Sequence, residues 1–135
     1  LACSLPGFAV LVPADGPSAA AATKAMIEHE GPVFMRCGRP KVPVVYPDGV
    51  DFHIGKANTL REGDDLAIVA NGIMVAMALD AAEGLAAEGV QARVIDMHTV
   101  KPLDTAGVRD VLRRFEQVVV IEETSVRGSL GLECG

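Results

Sequence analysis

Residues Asp65–Glu123 read DLAIVANGIMVAMALDAAEGLAAEGVQARVIDMHTVKPLDTAGVRDVLRRFEQVVVIEE. Three short runs rich in Val, Ile and Ala alternate there with two segments of helical period, a β-α-β-α-β order. Leu66–Ala70, Ala92–Asp96 and Val118–Ile121 are near-continuous apolar runs, the pattern of strands buried on both faces of a parallel sheet. Helices must then cover both faces. Between the first two runs, Met74, Met77, Ala78, Ala81 and Leu85 predict the buried stripe of a helix that Gly89 ends. In the next helix Asp104 is placed to cap the N-terminus. Val108, Val111, Leu112 and Phe115 form its apolar side, and Arg109, Arg113 and Arg114 sit where cations suit the helix dipole.

Upstream, residues 1–46 form a first unit. Phe8–Val12 predicts a strand, Asp15 an N-cap and Pro17 the first turn of an alanine-rich helix running to about His29. Ala19, Ala22 and Met26 give that helix a flat stripe suited to close packing, and Pro32–Arg36 predicts the next strand. Residues 47–64 are a linker in which Pro47, Asp48, Gly49 and Gly63 are turn residues and Asp51–Ile54 is strand-like. Lys56 and Arg61 read as solvated loop charges and His53 as a linker histidine, since no carboxylate or nucleophile stands at a motif spacing from it. Residues 65–135 make the second unit. The expected fold class is α/β: two incomplete, Rossmann-like three-layer units with mostly parallel sheets, joined by a linker.

Composition bounds the function. Half of the 135 residues are hydrophobic, so most of the chain must be packed away. A net charge of −6 opposes a nucleic-acid partner, which selects clustered Lys and Arg. No apolar run reaches the roughly 20 residues of a membrane span, and no signal-peptide pattern opens the chain; the expected location is cytoplasmic. Cys3, Cys37 and Cys134 have neither CxxC nor Cys/His ligand spacing and read as reduced thiols.

The run ARVIDMHTVKPLD (92–104), followed by VVVIEETSVRGSLG (118–131), resembles the C-terminal domain of transketolases. DFHIGKANTLREGDDLAIVANGIMV (51–75) resembles the segment leading into that domain, and LPGFAVLVPADGPSAAAATKAMIEHEGPVFMRCGRPKVPVVY (5–46) is similar to the end of the family's pyrimidine-binding domain. The resemblance implies a two-carbon ketol transfer between sugar phosphates in the pentose phosphate pathway. The complete enzyme would depend on thiamine diphosphate and a divalent metal such as Mg, neither bound by this stretch. The family's Gly-Asp-Gly and Asn-Asn diphosphate motif is absent, Gly63-Asp64-Asp65 is a turn, and Glu28 and Glu30 do not match the pyrimidine-binding glutamate. The chain is therefore expected to be a fragment or the second subunit of a split transketolase. It would be inactive alone and would assemble with the missing domains or an N-terminal subunit as a homodimer or heterotetramer.

Arg39, in Cys37-Gly38-Arg39-Pro40, has two readings. As a residue it is a solvated loop arginine; by resemblance it binds the substrate phosphate, for which a guanidinium at a strand end suits bidentate bonding. Ligands of open parallel sheets collect at carboxyl strand ends, which places Asn71, His98, Lys101, Ser125 and Arg127 near a conceivable pocket, but the reading adopted for them is a structural role. Gly128-Ser129-Leu130-Gly131 is not a dinucleotide fingerprint. Glu122 and Glu123, adjacent on a strand, point to opposite faces and form no carboxylate dyad. Two other readings stay open: the same architecture in 1-deoxyxylulose 5-phosphate synthase or a 2-oxo-acid dehydrogenase β-subunit, and a non-catalytic α/β assembly module.

Overall fold

A computed structural model describes residues 2–124 and 129–134. Its strands are β1 (Ala9–Leu11), β2 (Val33–Met35), β3 (Asn58–Arg61), β4 (Leu66–Ala70), β5 (Ala92–Asp96), β6 (Thr99–Lys101) and β7 (Val118–Ile121). The helices are α1 (Gly16–Glu28), α2 (Met74–Ala87), α3 (Thr105–Arg114) and α4 (Leu130–Cys134). The strands form a three-stranded sheet, β2-β1-β6, and a four-stranded sheet, β3-β5-β4-β7. β4 pairs in parallel with β5 and β7, as the apolar runs predict, and β1 pairs in parallel with β2. β3 and β6 are antiparallel additions to β5 and β1.

Alternation along β4 explains the layering. Ile68 and Ala70 face a core built with Val75, Ala78 and Ala82 of α2, while Ala67 and Val69 face Val111 and Phe115 at α3 and Leu130 of α4. The larger sheet is thus covered on both faces, a three-layer α/β unit. β7 lies at its edge and Val119 is half exposed, so only β4 and β5 carry the two-sided burial expected of all three runs. The smaller sheet packs Leu11 against Ala22 of α1 and Phe52 of the linker.

Local chemistry sets the helix ends. At α1 the Asp15 side chain accepts from Ser18 N–H at 2.8 Å while Asp15 N–H donates to Ser18 Oγ at 2.9 Å, a reciprocal cap worth about 0.5–2 kcal/mol. Asp104 caps α3 by accepting from Gly107 N–H. Gly89, at φ +89, allows Val90 N–H to reach Leu85 O after the last turn of α2.

Three expectations are corrected. On α2, Ala78 is buried and Met74 and Leu85 pack at the margin of the same core as expected, but Met77 and Ala81 face outward and Val75 and Ala82 take their place; the small residues lie against the sheet, where close approach favours them. On α3, Leu112 is exposed, since Val111 and Phe115 already fill the contact with the sheet. Asp51–Ile54 is not a strand; the linker's strand is β3, which makes Arg61 a strand residue rather than a loop charge. Its sequence, Asn-Thr-Leu-Arg, lacks an apolar run because the strand sits at a sheet edge.

Candidate functional site at the junction of the two sheets

The carboxyl ends of β1, β2, β4 and β7 converge. Gly72 N–H, beyond β4, donates to Val12 O, beyond β1, at 3.1 Å. Arg36, following β2, donates through Nη1 to Glu123 O at 2.6 Å and through Nη2 to Glu123 Oε2 at 3.2 Å. Glu122 turns the other way, and its two carboxylate oxygens accept from Leu130 and Gly131 N–H at 2.9 and 3.0 Å, anchoring α4. The neighbouring glutamates therefore serve separate partners and form no dyad, although both lie just beyond the end of β7 rather than on the strand.

Two clefts flank this junction. One, of about 140 Å³, is lined by Val12, Phe34, Arg36, Asn71, Glu122 and Thr124 among others. The second, of about 210 Å³, lies between the start of α1 at Asp15-Gly16, Cys37, Gly38 and Pro40 of the loop after β2, and Ile73. Arg39 stands in that loop and is exposed. No carboxylate of the described residues pairs with it.

The strand-end candidates separate. Asn71 is buried beside the first cleft. His98 is not there: it is wholly buried, stacked on Phe52 at 3.9 Å, with Nδ1 3.0 Å from Thr99 Oγ1 and Nε2 without a partner. Burial pushes its pKa down to about 4, so it is a neutral core imidazole. Lys101 Nζ donates to the carbonyls of Cys3 and Leu5, tying down the first turn of the chain. Ser125 and Arg127 lie outside the described residues. His53 is exposed and pairs with Asp51 at 2.8 Å.

A buried polar group between the sheets was not read from the sequence. Tyr46 is held by Asp15 and Asp96: Val45 and Tyr46 N–H donate to Asp15 Oδ2 at 2.8 and 2.9 Å, and Tyr46 OH donates to Asp96 Oδ2 at 2.8 Å. Burial pushes Asp15 up, but bonds from Ser18, Tyr46 and Val45 outweigh it and hold its pKa below the usual carboxylate value. Asp96 has one donor and an unpartnered Oδ1, and burial pushes its pKa up to about 7.

Among the described residues no group of three or more His, Cys, Asp or Glu side chains is disposed to hold a metal ion. No helix of the described residues is long and apolar enough to cross a membrane.

Two mixed α/β sheets meeting at their carboxyl strand ends define the class, and comparison with known proteins gives the family. Residues 55–134 match the transketolase C-terminal domain family, to which this chain belongs. It is 42% identical over 128 residues to a 6-deoxy-6-sulfo-D-fructose transketolase subunit of Clostridium sp. (strain MSTE9), covering 95% of this chain and 40% of that protein. It is 38% identical over 129 residues to an apulose-4-phosphate transketolase subunit of Phocaeicola vulgatus, covering 95% and 41%. The chain thus spans about two fifths of the length of these curated relatives. Among solved structures, a split gene transketolase described as an inactive beta4 tetramer superposes with a TM-score of 0.94 at 44% identity, covering 98% of this chain and 44% of that one. A Pichia stipitis transketolase mutant in complex with xylulose-5-phosphate superposes with a TM-score of 0.73 at 27% identity, covering 90% and 19%.

Proposed function

We propose that this chain is part of a thiamine-diphosphate-dependent transketolase that transfers a two-carbon ketol unit between sugar phosphates, and that it has no turnover by itself. The observation carrying this reading is the near-complete superposition on the split gene transketolase, whose described state is an inactive tetramer of β chains. Residues 1–46 then belong to the pyrimidine-binding domain, 47–64 to a linker and 65–135 to the C-terminal domain, with β3 and β6 interlocking the parts. The cofactor and its divalent metal, such as Mg, are held by residues outside this stretch. The working assembly is a homodimer of complete chains or a heterotetramer with an N-terminal subunit, placed with its sugar-phosphate substrates in the cytoplasm. The test is reconstitution: the intact protein containing this chain is assayed alone and with an N-terminal transketolase subunit, thiamine diphosphate and Mg. Ketol transfer only in the mixture is expected if the subunits are separate. Turnover by these 135 residues alone would overturn the proposal.

Arg39 is proposed as the substrate phosphate ligand, supported by its exposure in the loop that follows β2 and its lack of a carboxylate partner among the described residues. In the complete enzyme Arg39→Ala is expected to cost about 1.5–3 kcal/mol of apparent binding, seen as a raised KM for phosphorylated sugars. Equal losses with unphosphorylated sugars would assign Arg39 a structural role.

A second reading has support from a 36% identity over 129 residues to the 1-deoxy-D-xylulose-5-phosphate synthase of Desulforudis audaxviator, covering 94% of this chain and 20% of that protein. Assaying a 2-oxo-acid donor in place of a ketose separates the two reactions.

A further inference from the structure

The loop that carries Arg39 is gripped from the opposite sheet. Its start is fixed within its own sheet by Arg36 N–H, which donates to Leu11 O at 2.8 Å, and from beyond β7 of the other sheet by Glu123, which accepts two bonds from the Arg36 guanidinium. Its middle is fixed by shape. A Cβ built on Gly38 would overlap Ile73 Cγ2, and Ile73 is β-branched, with little freedom to rotate that methyl away. On the facing side, a Cβ on Gly72 would lie 2.8 Å from Val12 Cγ1. The space left between Val12, Arg36, Gly38, Gly72, Ile73 and Glu123 is about 10 Å³, at the lower limit for one water molecule. Ile73 and Glu123 both follow strands of the larger sheet, whereas the loop follows β2 of the smaller one.

From this seam we infer that the C-terminal unit positions the phosphate-binding loop of the neighbouring unit, with Glu123 and Ile73 as positioning residues that fix Arg36 and Gly38 and so aim Arg39. The inference rests on the assignment of Arg39 to the substrate phosphate. Glu123 also neutralises Arg36, which leaves Arg39 as the loop's unpaired arginine. The unit would thereby act on substrate recognition without touching substrate. A guanidinium displaced by a fraction of its hydrogen-bond length loses bidentate geometry, so the effect concentrates on phosphorylated substrates.

The experiment compares kcat and KM of the complete, reconstituted enzyme for a phosphorylated and an unphosphorylated ketose donor in Glu123→Gln, Gly38→Ala and Arg39→Ala variants. The Arg36–Glu123 pair is about half exposed, so Glu123→Gln leaves folding intact, and it is expected to raise KM for the phosphorylated donor about two- to fivefold. Gly38 has no positive φ, so its alanine variant tests space alone; displacing the loop is expected to raise the same KM about tenfold. In both variants kcat stays within about twofold and the unphosphorylated donor is unaffected. If Arg39→Ala discriminates between donors while the other two leave the phosphorylated KM unchanged, or harm both donors equally, the positioning role falls and the phosphate assignment survives. If Arg39→Ala itself fails to discriminate, the phosphate assignment falls and this inference with it.

Discussion

Replacing Gly63 with alanine is expected to destabilise the protein by at least about 3 kcal/mol, at the upper end of what overpacking costs. Gly63 lies between β3 and β4, where a Cβ would overlap the Ala92 carbonyl carbon and stand 2.6 Å from Gln91 O and 2.7 Å from Ala92 O. All three are backbone atoms, and no flexible side chain can swing aside. The backbone they belong to enters β5, which pairs through Ala92 with Leu66 of β4 and through Val94 with Arg61 of β3. Relief of the clash therefore disturbs two ladders at once. Gly63 has no positive φ, so steric overlap alone is tested. Gly84, on α2 with no atom within 4 Å of its built Cβ, is the control: Gly84→Ala is expected to gain about 0.5–1 kcal/mol. Urea unfolding of the intact protein measures both, and a Gly63→Ala variant as stable as the parent would contradict the packing described.

The residues that were legible in sequence are those whose neighbours in the chain define them. Leu66–Ala70 and Ala92–Asp96 are apolar on both faces, and Asp15 and Asp104 stand just before helices, so periodicity and capping chemistry locate them. β6 was not legible: Thr99–Lys101 follows β5 with two residues between, and its pairing with β1 is determined by a partner nearly ninety positions upstream. The same distance hid Arg36–Glu123, since nothing near either residue marks it as half of a pair. Met77 misled because period alone does not say which of two adjacent apolar stripes faces the sheet; Ala78 and Ala82 win by allowing closer approach. For His98 the structural reading holds, on a contact that no local pattern shows. The strand-end rule gives its position, but Phe52, from the linker, decides that its ring is stacked in the core rather than offered to a ligand.

Replacing Asp96 with asparagine is expected to change how stability responds to pH by on the order of 3–4 kcal/mol between about pH 4 and 7. The sign follows from two buried groups that titrate in opposite senses. Asp96 ordinarily loses its proton at 3.8, but burial moves the folded value to about 7, against the lowering effect of the Tyr46 hydroxyl and with the Asp15 charge adding to the rise. In that window the native state holds a proton that the unfolded chain has released. The stability it contributes is full below the unfolded value and is lost as pH rises through about 7. His98 does the reverse. Burial lowers it from 6.5 to about 4, so the unfolded chain takes up a proton that the native state refuses, and stability is lost as pH falls from about 6.5 towards 4. In the parent protein the two responses offset one another. Asp15, whose pKa is depressed, adds its loss only below the window. In Asp96→Asn the amide oxygen can still accept from Tyr46, while the unpartnered Oδ1 position receives an amide nitrogen at a cost that does not vary with pH. The variant therefore retains the His98 response without its counterweight and is expected to weaken steeply as pH falls from 6.5 towards 4, while the parent changes little. Urea unfolding of both proteins at several pH values across this window reads the difference directly, in which all other titrating groups cancel. Parallel profiles for parent and variant would show that Asp96 is ionised in the native state throughout, and would remove the protonated carboxyl from the Tyr46 cluster.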